Sequence, residues 1–249
     1  MKKIVFIIII SINFIFGQTK NSEWKEDIEF IAKELPKKHV SLFENITEED
    51  FNLEIKNLID SIENFSEDDI QWKITSLLSK IKDSHSGLKI NTKQYFPYRI
   101  NWFSDGYYIT EINQENSSYL GSKIISINSI PIKIIEEKIA KVIYCDNMAS
   151  IRKNVSSFLK NASLLRFLKI NSANTLKIET TNNKIISTFE IAFDDKNNKL
   201  VALNSTKTPF YKSKGSQWFW YDYQEKENTL YIRYKNCSSR EHLTKYKDF

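Results

Sequence analysis

Through the first ninety residues, apolar positions recur with the period of an α-helix. In residues 22–35 they return every three or four positions, and Pro36 follows as the expected helix stop. Two further helical patterns begin at Thr47 and Ser66, each of which stands three positions before an acidic residue, as in a side-chain N-cap. These patterns predict three amphipathic helices, and hence a helical N-terminal domain over residues 18–92.

From about residue 95 the pattern changes to the two-residue alternation of β-strands. Strand patterns cover residues 107–112 and 123–132, and the second contains a turn at Asn128 and Ser129. Residues 175–193 carry two more strand patterns around a short polar turn, which is typical of a β-hairpin. The middle of the chain is therefore expected to form a largely antiparallel sheet.

Other segments interrupt or follow these strands. Residues 134–143 have a helical pattern, and residues 148–169 are predicted to form one mostly buried helix. Residues 194–199 and 204–217 lack a period and are predicted to be exposed loops. A strongly β-prone run at residues 228–237 predicts a last strand, followed by the start of a helix. The predicted fold class is α+β.

Composition narrows the classes of function. Of the 249 residues 41% are hydrophobic, which is enough for a sizeable core. The net charge of +5 comes from scattered lysines without a basic run, so we expect no nucleic-acid partner. Only three histidines and five glycines occur, with no HExxH, no paired CxxC and no phosphate-binding glycine loop. We therefore expect neither a metal nor a cofactor.

The N-terminus has the features of an export signal. Two lysines precede the apolar run at residues 4–16, and Gly17 offers a small residue for cleavage, so residues 1–17 are predicted to be a removed signal peptide. Retention as an uncleaved anchor is the alternative. Export to the periplasm or the outside, without stable membrane insertion after cleavage, would allow Cys145 and Cys237 to pair. Both cysteines also fit as separate buried thiols.

The candidate chemistry lies in "DSHSG", residues 83 to 87, which follow the third helical pattern. A histidine in such a loop can be exposed and held by neighbouring hydroxyl and carboxyl groups, as a general base requires. In the alternative interpretation Asp83 and Ser84 cap the helix and turn, Gly87 supplies a positive φ, and His85 points into solvent. Spacing alone leaves both interpretations open.

Four segments together resemble the tail-specific, or C-terminal-processing, serine peptidase family in its tricorn-like branch: residues 35–43, 77–88, 120–132 and 228–237. The resemblance covers most of the chain after the signal. It implies a PDZ-like module with a helical insertion over residues 93–200, whose turn runs from Gly121 to Asn128. It also implies that residues 201–249 are a linker and the first strand and helix of a crotonase-like α/β core.

By matching position, the resemblance makes His85 the general base and Ser84 a hydroxyl that helps to orient it. His39 matches a position that we interpret as structural, linking the first helix to the next. The family's nucleophilic serine and its glycine-rich oxyanion hole lie farther downstream, in a core that this sequence does not contain. The sequence is therefore expected to be a fragment or a truncated gene product that is inactive alone.

Two functions of different classes follow. The first is an exported serine-type peptidase that acts on peptides or protein tails once its core is complete. The second is a non-catalytic binding module, in which the PDZ-like region holds peptide C-termini by strand addition and backbone capture of the carboxylate. Both hypotheses make a peptide or protein the partner.

Overall fold

A computed structural model describes residues 21–90, 94–193, 199–203, 209–215, 217 and 219–234. These residues belong to two compact units, which divide between residues 203 and 204. The predicted export signal, Cys237 and the predicted terminal helix lie outside the described residues. Within the described ranges, no helix has both the length and the apolar character needed to cross a membrane.

The first unit begins with three helices, at the positions that the sequence predicts. Residues 21–38 form α1, Glu48–Asp60 form α2 and Glu67–Ser79 form α3. The hydroxyl groups of Thr47 and Ser66 accept the backbone N–H of the acidic residue three positions on, at 3.0 and 3.2 Å. Both predicted N-caps are confirmed.

The predicted end of α1 at Pro36 is wrong, because the helix continues to residue 38. Proline has no backbone N–H and so cannot donate a hydrogen bond within the helix. The carbonyl groups of the residues beside it can still accept hydrogen bonds. The His39 N–H still donates to the Leu35 carbonyl at 2.9 Å, which closes the turn that contains the proline. The extra turn determines where His39 leaves the helix.

The helical part has its own hydrophobic core, to which all three helices and the connection after α1 contribute. Removing such side chains from water stabilises the fold by about 1.5–3 kcal/mol each. The cluster consists of Ile28, Leu42, Ile46, Phe51, Ile55, Leu58, Ile62, Ile70, Ile74, Leu77, Leu78 and Ile81. The Asp83–Gly87 turn follows directly from this packed body.

A seven-stranded, antiparallel sheet forms the rest of the first unit. Its strands are β1 Tyr98–Phe103, β2 Gly106–Ile112, β3 Lys123–Ile127, β4 Ile130–Pro131, β5 Thr175–Asn182, β6 Ile185–Ala192 and β7 Val201–Ala202. The main order is β1-β2-β3-β5-β6, while β4 pairs with β3 and β7 with β2. The first unit is therefore an α+β structure, as the sequence predicts.

Two tight turns set the register of this sheet. Asn128 and Ser129 join β3 to β4 with φ values of 49° and 64°, and Asn183 and Lys184 join β5 to β6 with 48° and 69°. Positive φ at both central residues defines the type I′ turn, whose twist matches that of antiparallel strands. The turn predicted at Asn128 and Ser129 and the hairpin predicted within residues 175–193 are both confirmed.

Three helices pack with the sheet: α4 Ile132–Ala140, α5 Met148–Phe158 and α6 Ala162–Phe167. The single helix predicted over residues 148–169 is wrong, because α5 and α6 are separate. The Asn161 side chain accepts the Leu164 N–H at 3.1 Å and so caps α6. At the same break, the Ala162 N–H donates to the Gln94 carbonyl at 3.1 Å. At this break, a backbone hydrogen bond to a distant segment thus takes the place of a hydrogen bond within a helix.

The second unit is described through a two-stranded hairpin, with β8 at Phe219–Gln224 and β9 at Thr229–Tyr234. The predicted last strand corresponds to β9. The rings of Phe210, Trp220 and Tyr231 pack together, with centroid separations of 4.9–5.4 Å. The aromatic content of this segment therefore contributes to packing inside the unit.

Candidate functional site

The Asp83–Gly87 turn begins where the chain leaves α3. Lys82 has a φ of 57°, a left-handed conformation that ends the helical path. The Asp83 carboxylate then accepts the backbone N–H of His85 at 3.0 Å. A side chain that bonds the backbone two residues ahead forms an Asx turn, which fixes the local conformation. The turn therefore places His85 directly beside Asp83.

The carboxylate of Asp83 contacts four polar groups. Its Oδ2 atom accepts the Ser86 hydroxyl at 2.6 Å and lies 3.1 Å from His39 Nε2. Its Oδ1 atom accepts the His85 N–H and lies 3.3 Å from His85 Nδ1. We call Asp83, His39, His85 and Ser86 the Asp83 cluster.

These contacts keep Asp83 ionised. The hydrogen bond from the Ser86 hydroxyl lowers the pKa of Asp83 most, followed by the backbone N–H of His85. Partial desolvation acts in the opposite direction, while the side chains of His39 and His85 lower the pKa further. The net effect holds the pKa of Asp83 well below its usual range. At neutral pH the carboxylate therefore acts only as a hydrogen-bond acceptor.

The geometry of His85 suits a proton acceptor. Its side chain is 93% exposed, and its Nδ1 atom is the ring nitrogen that faces the carboxylate. Because an ionised carboxylate only accepts, Nδ1 carries the hydrogen of the neutral ring and Nε2 holds the lone pair. Among the described residues, no group is hydrogen bonded to His85 Nε2. This nitrogen faces solvent as a base.

His39 has the opposite environment. Its side chain is only 14% exposed, and the backbone N–H of Ser41 donates to its Nδ1 atom at 3.1 Å. A ring whose Nδ1 accepts must carry its hydrogen on Nε2, the atom that faces Asp83. His39 is therefore a fixed donor to the carboxylate. The sequence predicts only a structural role for it, from its matching position, and its partner Asp83 lies 44 residues away.

Ser84 is half-buried, and its hydroxyl has no hydrogen-bond partner among the described residues. The resemblance assigns it an orienting role toward His85. In the structure the group that contacts the imidazole is instead the Asp83 carboxylate, on the other side of Ser84 in sequence. The presence of an acid two positions before the histidine was the signal that could have indicated this.

Gly87 does not adopt the positive φ that the cap-and-turn interpretation requires; the positive φ is at Lys82. The structure gives Gly87 another role. A Cβ atom added there would lie 2.3 Å from Cε1 of the Tyr144 ring. Tyr144 follows α4 in the chain, so the missing side chain allows the sheet-bearing part of the unit to contact the turn.

The segment just before the Asp83–Gly87 turn lines a groove of about 660 Å³. Lys80 and Lys82 form part of its wall. Phe43 and Leu53 add apolar surface to it, and Lys80 is paired with Glu54 at 2.6 Å. The groove is thus lined by both apolar and charged groups.

No group of three or more histidine, cysteine or acidic side chains is placed to hold a metal ion in the part of the chain that the structure describes. The two imidazoles of the Asp83 cluster contact opposite oxygens of one carboxylate.

Cys145 is a buried free thiol, which contacts the Asn154 side chain at 3.1 Å.

Comparison with known proteins adds no relative. No family model matches the chain, and no curated protein matches it. The resemblance to the serine peptidase family therefore rests on the four sequence segments alone.

Proposed function

We propose that this protein is an exported member of the tail-specific serine peptidase family, in which His85 is the general base for cleavage of peptides or protein tails. One observation carries the proposal: the Asp83 carboxylate contacts Nδ1 of His85 and leaves Nε2 exposed to solvent. A general base needs this combination of a fixed tautomer and an accessible lone pair.

In the proposed reaction, His85 Nε2 removes the proton from a serine hydroxyl as its oxygen attacks the peptide carbonyl carbon. The imidazolium then gives that proton to the leaving amine nitrogen as the peptide bond breaks. A water molecule releases the acyl group by the same two proton transfers. The ionised Asp83 stabilises the imidazolium that forms in each half of the reaction.

The nucleophile has to come from outside the described residues. No described hydroxyl is bonded to His85 Nε2, and the hydroxyl of Ser86 donates to Asp83. An imidazole without a nucleophile and oxyanion-hole donors gives little catalysis. We therefore expect no serine in the described part of the chain to react with a fluorophosphonate probe for activated serines.

Within this proposal, the seven-stranded sheet corresponds to the PDZ-like module, and the β8–β9 hairpin to the start of a crotonase-like core. The left-handed Gly121, with a φ of 76°, and the type I′ turn at Asn128 support the first assignment. Residues 1–17 would direct export. N-terminal sequencing of the secreted protein should then begin within a few residues of Gln18.

The peptidase proposal is tested with protein made from the complete reading frame that contains this sequence. His85→Ala should lower kcat for peptide hydrolysis by roughly 10²–10⁴-fold, the usual contribution of a general base. Lys25→Ala, which changes an exposed side chain of α1, is the control and should keep parental kcat. Hydrolysis that survives His85→Ala unchanged would refute the proposal.

A peptide-binding module is the second candidate, and the edge of the sheet favours it. β6 has β5 on one side and no strand on the other among the described residues. The Tyr119 hydroxyl donates to the Thr188 carbonyl at 3.4 Å, so the backbone groups of Thr188 face away from β5. Because this direction alternates along an antiparallel strand, the backbone groups of Glu190 face away from β5 as well. A peptide could add to this edge as a further strand.

Fluorescence anisotropy with labelled peptides separates the two candidates. A binding module should hold peptides with a free C-terminus and lose them when the carboxylate is amidated. Glu190→Pro should abolish binding by removing an outward N–H, whereas Glu190→Ala should preserve it. The same weak signal for free and amidated peptides would exclude this second candidate.

A further inference from the structure

We infer that His39 is a positioning residue for His85, and that it acts by fixing the carboxylate of Asp83. The inference rests on the proposed role of His85 as a base. It concerns a residue that the sequence patterns did not place at the site. The two histidines do not contact each other; they contact the two oxygens of the same carboxylate.

The orientation of the Asp83 carboxylate depends on contacts at both of its oxygens. An aspartate contacted at Oδ1 alone could rotate about its terminal bond, a broad torsion, and the contact with Nδ1 would then be lost. His39 Nε2 at 3.1 Å and the Ser86 hydroxyl at 2.6 Å both engage Oδ2. Together they determine the plane in which Oδ1 faces His85.

The hydrogen bond from His39 to Asp83 has a fixed direction. Because the Ser41 backbone N–H occupies Nδ1, the ring has one hydrogen to donate, and it lies on the side of Asp83. Ser86, in contrast, carries a hydroxyl that can rotate to another acceptor. His39 is therefore the donor that cannot turn away from the carboxylate.

The exposed fraction of the three side chains rises from 14% at His39 to 30% at Asp83 and 93% at His85. His39 also belongs to the connection between α1 and α2, whereas His85 belongs to the turn after α3. The partly buried histidine thus ties an exposed turn to a separate part of the helical body.

The test is the tautomeric state of each imidazole in the 249-residue chain, measured by long-range ¹H–¹⁵N NMR above the ordinary imidazole pKa of about 6.5. With only three histidines, the spectra can be assigned by single substitutions. In the parent we expect hydrogen on Nδ1 of His85 and on Nε2 of His39. The variant His39→Phe should shift the His85 nitrogen signals toward the average of both tautomers.

Two variants separate positioning from a general structural effect. His39→Gln keeps an N–H donor at the distance of Nε2 and should restore the parental His85 signals. In His39→Asn the side chain is too short to reach Asp83, so this variant should behave like His39→Phe. It provides the same test if the phenylalanine variant does not fold. Ser84→Ala is the control and should leave the His85 signals in place.

Parental His85 signals in a folded His39→Phe or His39→Asn variant would overturn the inference. So would a parental spectrum in which His85 carries its hydrogen on Nε2. The second outcome would also contradict the proposed function, because it places a hydrogen on the nitrogen that acts as the base. The first outcome concerns His39 alone and is distinct from a failure of the proposed function. Absence of hydrolysis by the complete protein would contradict the peptidase proposal while leaving the measured link between His39 and His85 intact.

Discussion

Two polar networks in the first unit contain side chains from distant parts of the sequence, and they differ in burial and in charge. The first links α3 to α6. Trp72 donates to the Ser163 hydroxyl at 2.9 Å, and that hydroxyl donates to the Asn161 side chain at 2.9 Å. All three side chains are buried, and none of them titrates in the physiological range. Such a network holds two elements together and leaves no group available to a ligand.

The second network is the Asp83 cluster, which contains an ionised carboxylate and two imidazoles. It extends from a partly buried histidine to one that is almost fully exposed. Its hydrogen bonds leave one ring nitrogen facing solvent. Burial of neutral partners thus fixes structure, whereas a carboxylate near the surface can orient a base without burying it. The two networks should therefore respond differently to substitution.

The largest expected effect is on the buried network. Trp72→Ala should lower the free energy of unfolding by about 3–5 kcal/mol, because it leaves a cavity and a buried hydroxyl without its donor. Trp102→Ala is a matched control, since Trp102 is only partly buried and stacks on Arg152 at 4.5 Å. Its loss should be clearly smaller. Urea denaturation measures both, and equal losses would contradict the distinction.

A smaller effect is expected where the Asp83–Gly87 turn contacts the sheet-bearing part. Gly87→Ala should cost about 1–3 kcal/mol, since the added methyl group would overlap the Tyr144 ring. The backbone itself adds no strain, because the φ of Gly87 is not positive. Adding Tyr144→Ala should recover part of the loss in a double-mutant cycle. A strictly additive cycle would mean that the two residues do not meet.

The third effect depends on pH. Asp83→Asn should lower stability at pH 7 by about 1–2 kcal/mol, because charge-assisted hydrogen bonds are lost. Folding lowers the pKa of Asp83, so its contribution is present above the unfolded value near 3.9 and disappears as pH falls through the folded value. Thermal melts should therefore converge for parent and variant in acid. A gap that widens below pH 4 would reverse the assigned sign.

Much of the fold could be predicted, because its determinants are local. The caps at Thr47 and Ser66 and the turns at Asn128 and Asn183 each depend on a few adjacent residues. The break between α5 and α6 could not, because residues near Asn161 pair with the segment around Gln94. A periodic apolar pattern contains no information on that partner.

The candidate site likewise contains one residue that local sequence indicates and another that it does not. His85 is a candidate because histidine, acid, hydroxyl and glycine lie within five consecutive positions, and the resemblance then assigns it the role of base. His39 is interpreted as structural from the position that it matches in the resemblance, and a hydrogen bond across 44 residues leaves no mark in local spacing. The orienting role was assigned to Ser84 by resemblance, whereas the contact made in the structure is that of Asp83. Side-chain geometry, rather than adjacency, determines which neighbour reaches the ring.

The smallest expected effects are on the residues closest to the proposed chemistry. His85→Ala and Ser84→Ala should each change the free energy of unfolding by less than about 1 kcal/mol, as expected for loop side chains outside the core. His85 is 93% exposed, and its contact with Asp83 through Nδ1 is an exposed pair of the kind that contributes little. Its backbone N–H, which remains in the alanine variant, keeps the Asx turn closed.

Thermal melts of both variants beside the parent chain measure this directly. If His85→Ala instead unfolded the chain, the imidazole would be a structural anchor, and the proposed base would lose its local support. A stable variant retains the geometry of the turn and removes only the solvent-facing nitrogen. Any change in turnover of the complete protein could then be assigned to the loss of that nitrogen, because the fold that presents it would be unchanged.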